Sequence, residues 1–249
     1  MAFCSMTIEP SSTPGQGPAP RLAPRPGETF ARKLRGFGPM GVAAILVVLL
    51  IGNVSIRGFT VPLGALLAIA WTWLSRTPWS EIGCMRPKSW AVSTVVAIIL
   101  GGAFKLAMKA LVMPLLGAPA INSTYHYLKR NRAALPGAVF TMIVAAGLGE
   151  ETVFRGFLFD RMGHLLGRGA GAKTVILVLT AVRFGLAHYS SQGLSGTEQA
   201  TIVGLVFGML LAITSRIWPL MCAHAAFDLT ALAIIYFDLE TRVACLVFP

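Results

Sequence analysis

The segment Val42-Ala-Ala-Ile-Leu-Val-Val-Leu-Leu-Ile51 contains no polar side chain. A helix needs ~20 predominantly apolar residues to cross ~30 Å of hydrocarbon, and this segment lies within such a stretch. Comparable stretches recur along the chain, and together they lie near residues 38–56, 58–76, 90–116, 136–160, 172–189, 198–215 and 217–237. The pattern predicts an all-α, polytopic membrane helical bundle with about seven (six to eight) transmembrane helices.

The composition agrees with a membrane protein. Of the 249 residues, 55% are hydrophobic and 12% are charged, about half the usual charged share of soluble domains. The net charge of +11 comes from basic residues that lie mostly in short gaps between apolar runs. Because no basic stripe with interleaved aromatic residues occurs, nucleic-acid binding is excluded and the lipid bilayer is the expected partner. The four cysteines lack paired spacing, which argues against a disulfide framework or a thiolate zinc site.

Three regions follow one another along the chain. Residues 1–36 are rich in Pro and predict a disordered tail, residues 37–130 predict N-terminal transmembrane helices, and residues 131–240 predict a second transmembrane region that carries the most informative polar groups. With the N-terminus inside, about 12 basic residues outside the spans lie on the cytoplasmic side and about 5 on the other. We therefore expect a multi-pass protein with its N-terminus in the cytoplasm, and the membrane that we expect is the bacterial inner membrane.

Several ionisable side chains fall inside the predicted spans. Each Asp, Lys or Arg at the centre of a membrane helix costs about 2.5–3.5 kcal/mol on insertion scales, so it needs a partner, a wet cavity or a function. The residues concerned are Lys105, Lys109, Glu150, Glu151, Arg155, Arg183, His188, His224 and Asp228.

The first group lies in the segment GLGEETVFRGF, residues 147–157. On an α-helix Glu151 and Arg155 share a face and can pair, whereas Glu150 is turned about 100° away. One glutamate is then neutralised and its neighbour left free, as a general base requires. The alternative is a helix-stabilising ion pair, with Glu150 reaching the membrane interface.

Two histidines mark the other groups. His188 follows Phe184 by four residues, and His224 precedes Asp228 by four, so the members of each group share a helix face. Small residues flank both histidines, as close helix packing in a bilayer requires. Convergence of these groups on Glu150 is therefore feasible, although a lone His–Asp pair is more often structural.

The ordered set resembles the motifs of one family, EExxxR, FxxxH and Hxxx followed by Asn or Asp. That family is the CPBP membrane proteases, the type II CAAX prenyl endopeptidases related to Ras-converting enzyme, also called Abi proteins in bacteria. The resemblance covers roughly residues 135–237. The matching residues are Glu150, Glu151 and Arg155, then Phe184 and His188, then His224 and Asp228.

The resemblance implies an intramembrane protease that uses water directly. Glu150 would be the base and His188 its partner, while His224 and Asp228 would stabilise the oxyanion and the arginine of the first motif would hold the second glutamate. Many family members have Asn where this chain has Asp228, although Asp is tolerated there. An ionised Asp would repel an oxyanion, so Asp228 must be protonated or must orient His224.

Cofactor and substrate remain expectations at this point. A metal-free glutamate mechanism is favoured because no HExxH motif occurs, but Glu150, His188 and His224 could hold zinc with an open coordination site. The implied substrate is a membrane-anchored or prenylated protein, cut near its C-terminus. Two alternatives stay open, a non-catalytic membrane chaperone or immunity-type protein of the same fold, and a proton-coupled transporter.

Overall fold

The structure, a computed structural model, describes residues 27–51 and 60–248. Most of the predicted tail, residues 1–26, and the end of the first predicted span lie outside the described residues. Within the described ranges the chain is helical and contains no strand. The helices are α1 Glu28–Arg35, α2 Pro39–Ile51, α3 Thr60–Leu74, α4 Trp90–Leu115, α5 Arg132–Leu166, α6 Ala170–Thr214, α7 Trp218–Tyr236 and α8 Glu240–Ala244.

Helix α1 lies in the segment that the sequence predicted as disordered. Glu28 stands in its first turn, and basic residues occupy its last turn, so both ends complement the helix dipole. Ala31 and Leu34 are buried, and the Leu34 carbonyl accepts a hydrogen bond from the Trp71 indole of α3 at 3.2 Å. The tail prediction is therefore wrong over residues 28–35.

Four described helices, α4 to α7, are long and apolar enough to cross a membrane, and α1 with α2, bent by 60°, make a possible fifth span. Large apolar side chains on these helices face outward, among them Ile99 and Ile213, which are 63% and 74% exposed. An apolar outer surface is what a lipid-facing bundle requires. The protein is thus an integral membrane helical bundle, while the count of about seven spans stays a prediction.

Helix α6 is a hairpin of two helical halves. Its 45 residues would extend about 67 Å if straight. The backbone turns at Gly193, whose φ of 63° and ψ of −160° are closed to other residues. A Cβ on Gly185, before the turn, would lie 1.9 Å from Oγ1 of Thr201, after the turn, so the halves pack antiparallel. The sequence predicted these halves as two spans, 172–189 and 198–215.

Helix α5 is wound more widely than an α-helix. Over Thr141–Leu158 its main-chain hydrogen bonds reach back five residues, as when the Phe159 N–H donates to the Phe154 carbonyl. A wider turn holds more residues, so consecutive side chains are separated by less than 100° of rotation.

Helix α7 lies close to both α4 and α5. A Cβ on Gly101 of α4 would lie 2.1 Å from the Ala223 carbonyl oxygen, and one on Gly147 of α5 would lie 2.9 Å from the Ala225 Cβ. Such close approach of helix backbones is typical of small residues at membrane interfaces. It places His224, between these two alanines, at the junction of the three helices.

A polar cluster ties together the loop after α3, helix α1 and the end of α5. The Glu81 carboxylate accepts hydrogen bonds from Arg35 at 2.7 Å and Arg168 at 3.2 Å, and it pairs with His164 Nε2 at 2.9 Å. Burial alone would raise the pKa of Glu81, but the bonds from Arg35 and His164 outweigh it and lower the pKa from 4.5 to about 2.

We expect Glu81→Gln to lower the free energy of unfolding by about 1 kcal/mol near neutral pH, since these pairs are partly exposed. A carboxyl with a lowered pKa stabilises the fold above its unfolded pKa and loses that contribution as pH falls towards its folded pKa. The difference in Tm between wild type and variant should therefore shrink as pH falls from about 4.5 towards 2. A difference that is constant with pH would contradict the electrostatic role.

Candidate active site

A cavity of about 340 Å³ lies between α4, α5, α6, α7 and the loop before α5. A volume in this range is typical of small-ligand sites. The predicted site residues that line it are Glu150, His188, His224 and Asp228. The other two, Glu151 and Arg155, lie behind its wall, with side chains 0% and 3% exposed.

The buried wall holds a three-residue charge network. Arg155 Nη1 lies 3.1 Å from Glu151 Oε1, so the ion pair expected from the sequence forms. His224 Nδ1 lies 2.7 Å from the same oxygen. Because a carboxylate only accepts hydrogen bonds, Nδ1 donates, and Glu151 fixes the orientation of the His224 ring. The sequence did not predict this contact between Glu151 and His224.

Both glutamates of α5 lie near the His224 ring. Glu150 Oε2 lies 3.8 Å from His224 Nε2, while Glu151 binds the opposite ring nitrogen. The wider turns of α5 make the rotation between these neighbours smaller than the 100° that an α-helix predicts.

Phe184 holds the site together from α6. Its ring centroid lies 4.2 Å from the Arg155 guanidinium carbon, a cation–π distance, and 4.8 Å and 6.0 Å from the rings of His188 and His224. Its carbonyl lies 2.9 Å from His188 Nδ1. In the sequence Phe184 was identified only as a motif position. Its spacing of four residues before His188 was the one feature that could have indicated a contact between the two.

The same contact settles which nitrogen of His188 carries a proton. A backbone carbonyl can only accept, so Nδ1 donates to Phe184 and neutral His188 keeps a free lone pair on Nε2. Half-buried His188 lines the cavity, so this lone pair is available to a bound molecule.

Glu150 presents an unpaired oxygen inside the bundle. Its side chain is 16% exposed, and its buried Oε2 accepts no hydrogen bond from any residue in the described part of the chain. Within the same ranges no hydrogen bond or ion pair joins Glu150 directly to His188. Its nearest ionisable neighbour across helices is His224, whose Nε2 also lies 3.8 Å from Asp228 Oδ2. Glu150 and His188 thus share the cavity lining without a direct contact between them.

One metal-compatible group occurs among residues 27–51 and 60–248, formed by Glu81, Asp160 and His164 with ligand atoms within 4.8 Å. Arginines already neutralise these carboxylates. The alternative zinc set of Glu150, His188 and His224 does not meet that distance limit in the described chain.

Comparison with known proteins adds independent information. A family model described as type II CAAX prenyl endopeptidase Rce1-like matches residues 132–230. Over these residues the chain is similar to the Rce1-like family. No curated protein and no solved structure matches the chain. The Rce1-like region comprises α5, α6 and most of α7, and it contains all the motif residues, including Phe184. This family of proteases makes the chain a candidate membrane protease.

Proposed function

We propose that this protein is a membrane endopeptidase that hydrolyses a peptide bond near the C-terminus of a membrane-anchored or lipidated protein. One observation carries the proposal. Glu150, His188, His224 and Asp228, from α5, α6 and α7, line a single cavity inside an apolar bundle. A binding protein has no need for a carboxylate oxygen without a hydrogen-bond donor in a cavity that two histidines also line, whereas a hydrolase that activates water does.

The proposed chemistry begins with a water held between the Glu150 carboxylate and His188 Nε2. Glu150 takes a proton from this water as its oxygen attacks the carbonyl carbon of the scissile bond, which gives a tetrahedral intermediate with a negative oxygen. Glu150 then returns the proton to the leaving nitrogen as the C–N bond breaks. The products are a new carboxyl group and a free amine.

A covalent route has less support. Cys222 lies two residues before His224 on α7, and residues two apart on a helix do not face each other. We therefore propose direct attack by water, without an acyl-enzyme. We also propose that no metal takes part, and the steps above use side chains alone.

The oxyanion is proposed to form near His224 and Asp228. Glu151 holds His224 through Nδ1, so Nε2 faces the cavity and is free to donate when it is protonated. Asp228 Oδ2 lies 3.8 Å from that Nε2, too far for a hydrogen bond. Glu151 therefore orients His224. Asp228 is then proposed, as a protonated carboxyl, to donate a hydrogen bond to the oxyanion.

Asp228→Asn is expected to keep substantial activity, because an amide also donates, and to extend it to higher pH because an amide does not ionise. Asp228→Ala should lower kcat by about 10²–10³-fold, the usual effect of deleting one oxyanion donor. A pH–rate profile of the three proteins on one peptide checks both. An inactive Asn variant beside an active wild type would reject the donor role.

The function itself is tested with a membrane-anchored reporter that ends in a C-terminal tail. Membranes containing wild type should release the tail, and membranes containing Glu150→Gln at equal abundance should not. A chaperone, an immunity-type protein or a proton-coupled transporter would leave the reporter intact in both. For location we propose the bacterial inner membrane. The distribution of basic residues supports an N-terminus in the cytoplasm.

A further inference from the structure

Lys105 is a buried cation in the wall of the cavity. It lies on α4, outside the Rce1-like region, and is 7% exposed. Its Nζ donates a hydrogen bond to Gln199 Oε1 at 2.9 Å and lies 4.8 Å from the centroid of the Phe227 ring. Both partners are neutral. Among the described residues no carboxylate lies within 4.0 Å of Nζ, so no ion pair neutralises this ammonium group.

The other cations near the site are paired. Lys109, one turn further along α4, donates to the Ala120 carbonyl and lies 3.9 Å from Glu240. Arg155 is paired with Glu151. An ionisable residue in a membrane helix is by default a candidate for function. Of these three cations, Lys105 alone has no carboxylate partner among the described residues. It lines the same cavity as Glu150.

We propose that Lys105 binds the C-terminal carboxylate of the substrate, so that the cleavage site is set by its distance from the free C-terminus. This inference rests on the proposed function. Lys105 and Glu150 line the same cavity, so a chain end bound at Lys105 would leave an upstream peptide bond within the cavity that holds Glu150. An ammonium group suits this task, because a terminal carboxylate gives a charge-assisted hydrogen bond that an internal peptide group does not.

A different role for Lys105 must be separated from this one. Asp228 follows Phe227 and lines the same cavity. Removal of the Lys105 charge would then lower activity through the electrostatic environment of Asp228, without any contact between Lys105 and the substrate. That role predicts equal loss of activity on every substrate. Recognition of a carboxylate predicts loss only on substrates that carry a free C-terminus.

The experiment compares two lipidated peptides of one sequence, one ending in a free carboxylate and the other in an amide. The readout is the ratio of their kcat/KM values, which is independent of the amount of active protein. Wild type should prefer the acid by about 10-fold or more, the contribution of one hydrogen bond to a charged group. Lys105→Met should bring the ratio close to one, and Lys105→Arg should keep most of the preference.

Lys109→Met serves as the matched control, since it removes a cation one turn away that Glu240 already pairs, and it should keep the wild-type ratio. Lys105→Gln provides a second neutral variant if the Met variant does not fold. An unchanged ratio in both neutral variants, or a wild type that cleaves acid and amide equally, would overturn the inference while the proposed function stands. A wild type that cleaves neither peptide would overturn both.

Discussion

Glu150→Gln is expected to lower kcat by about 10²–10⁴-fold, the contribution of a general base, without lowering thermal stability. The amide has the same shape as the carboxylate but cannot take a proton from water. Little structure should be lost, because Oε2 accepts no hydrogen bond from the described part of the chain. The measurement is kcat on an anchored peptide, together with thermal unfolding in detergent.

Glu198→Gln, which makes the same change in the second half of α6, is the control and should retain wild-type kcat. His188→Ala should resemble Glu150→Gln, because it removes the second acceptor for the attacking water. If either site variant cleaved peptide at nearly the wild-type rate, activation of water by Glu150 and His188 would be rejected.

Glu151→Ala is expected to lower both the free energy of unfolding and the catalytic activity. Its side chain is fully buried and contacts both Arg155 and His224, so truncation strands a guanidinium group inside the bundle. Breaking a buried pair on one side typically costs about 3–5 kcal/mol in soluble proteins. We expect lower expression, a lower Tm and loss of activity, and Arg155→Ala should behave in the same way.

A double variant separates the charge from the packing. Glu151→Gln combined with Arg155→Met removes both charges, so its loss of stability should be smaller than the sum of the single losses. Activity should still be low, because His224 loses its carboxylate partner. Normal thermal stability in both single alanine variants would contradict the buried ion pair.

Much of this fold follows from the sequence because long apolar runs in a bilayer have few alternatives to helices. The pairing of Glu151 with Arg155 was predictable for a related reason, since a spacing of four residues places two side chains on one helix face. The meeting of His188, His224 and Asp228 at one cavity also agrees with the ordered motifs.

Other features depend on tertiary structure that local patterns do not encode. Glu150 and Glu151 lie near opposite nitrogens of His224, which depends on how α5 packs against α7. Phe184 acts through its ring and its carbonyl, and neither role is visible from residue type alone. Lys105 was visible as an intramembrane cation, but its place in the cavity depends on how α4 packs against α7.

The most direct test is peptide cleavage by the purified protein in water enriched in ¹⁸O, with both products analysed by mass spectrometry. The account predicts one cut near the C-terminus of an anchored peptide, ¹⁸O in the new carboxyl group of the anchored fragment, and no cut by Glu150→Gln. A peptide that stays intact with wild type, or equal cleavage by Glu150→Gln, would contradict it.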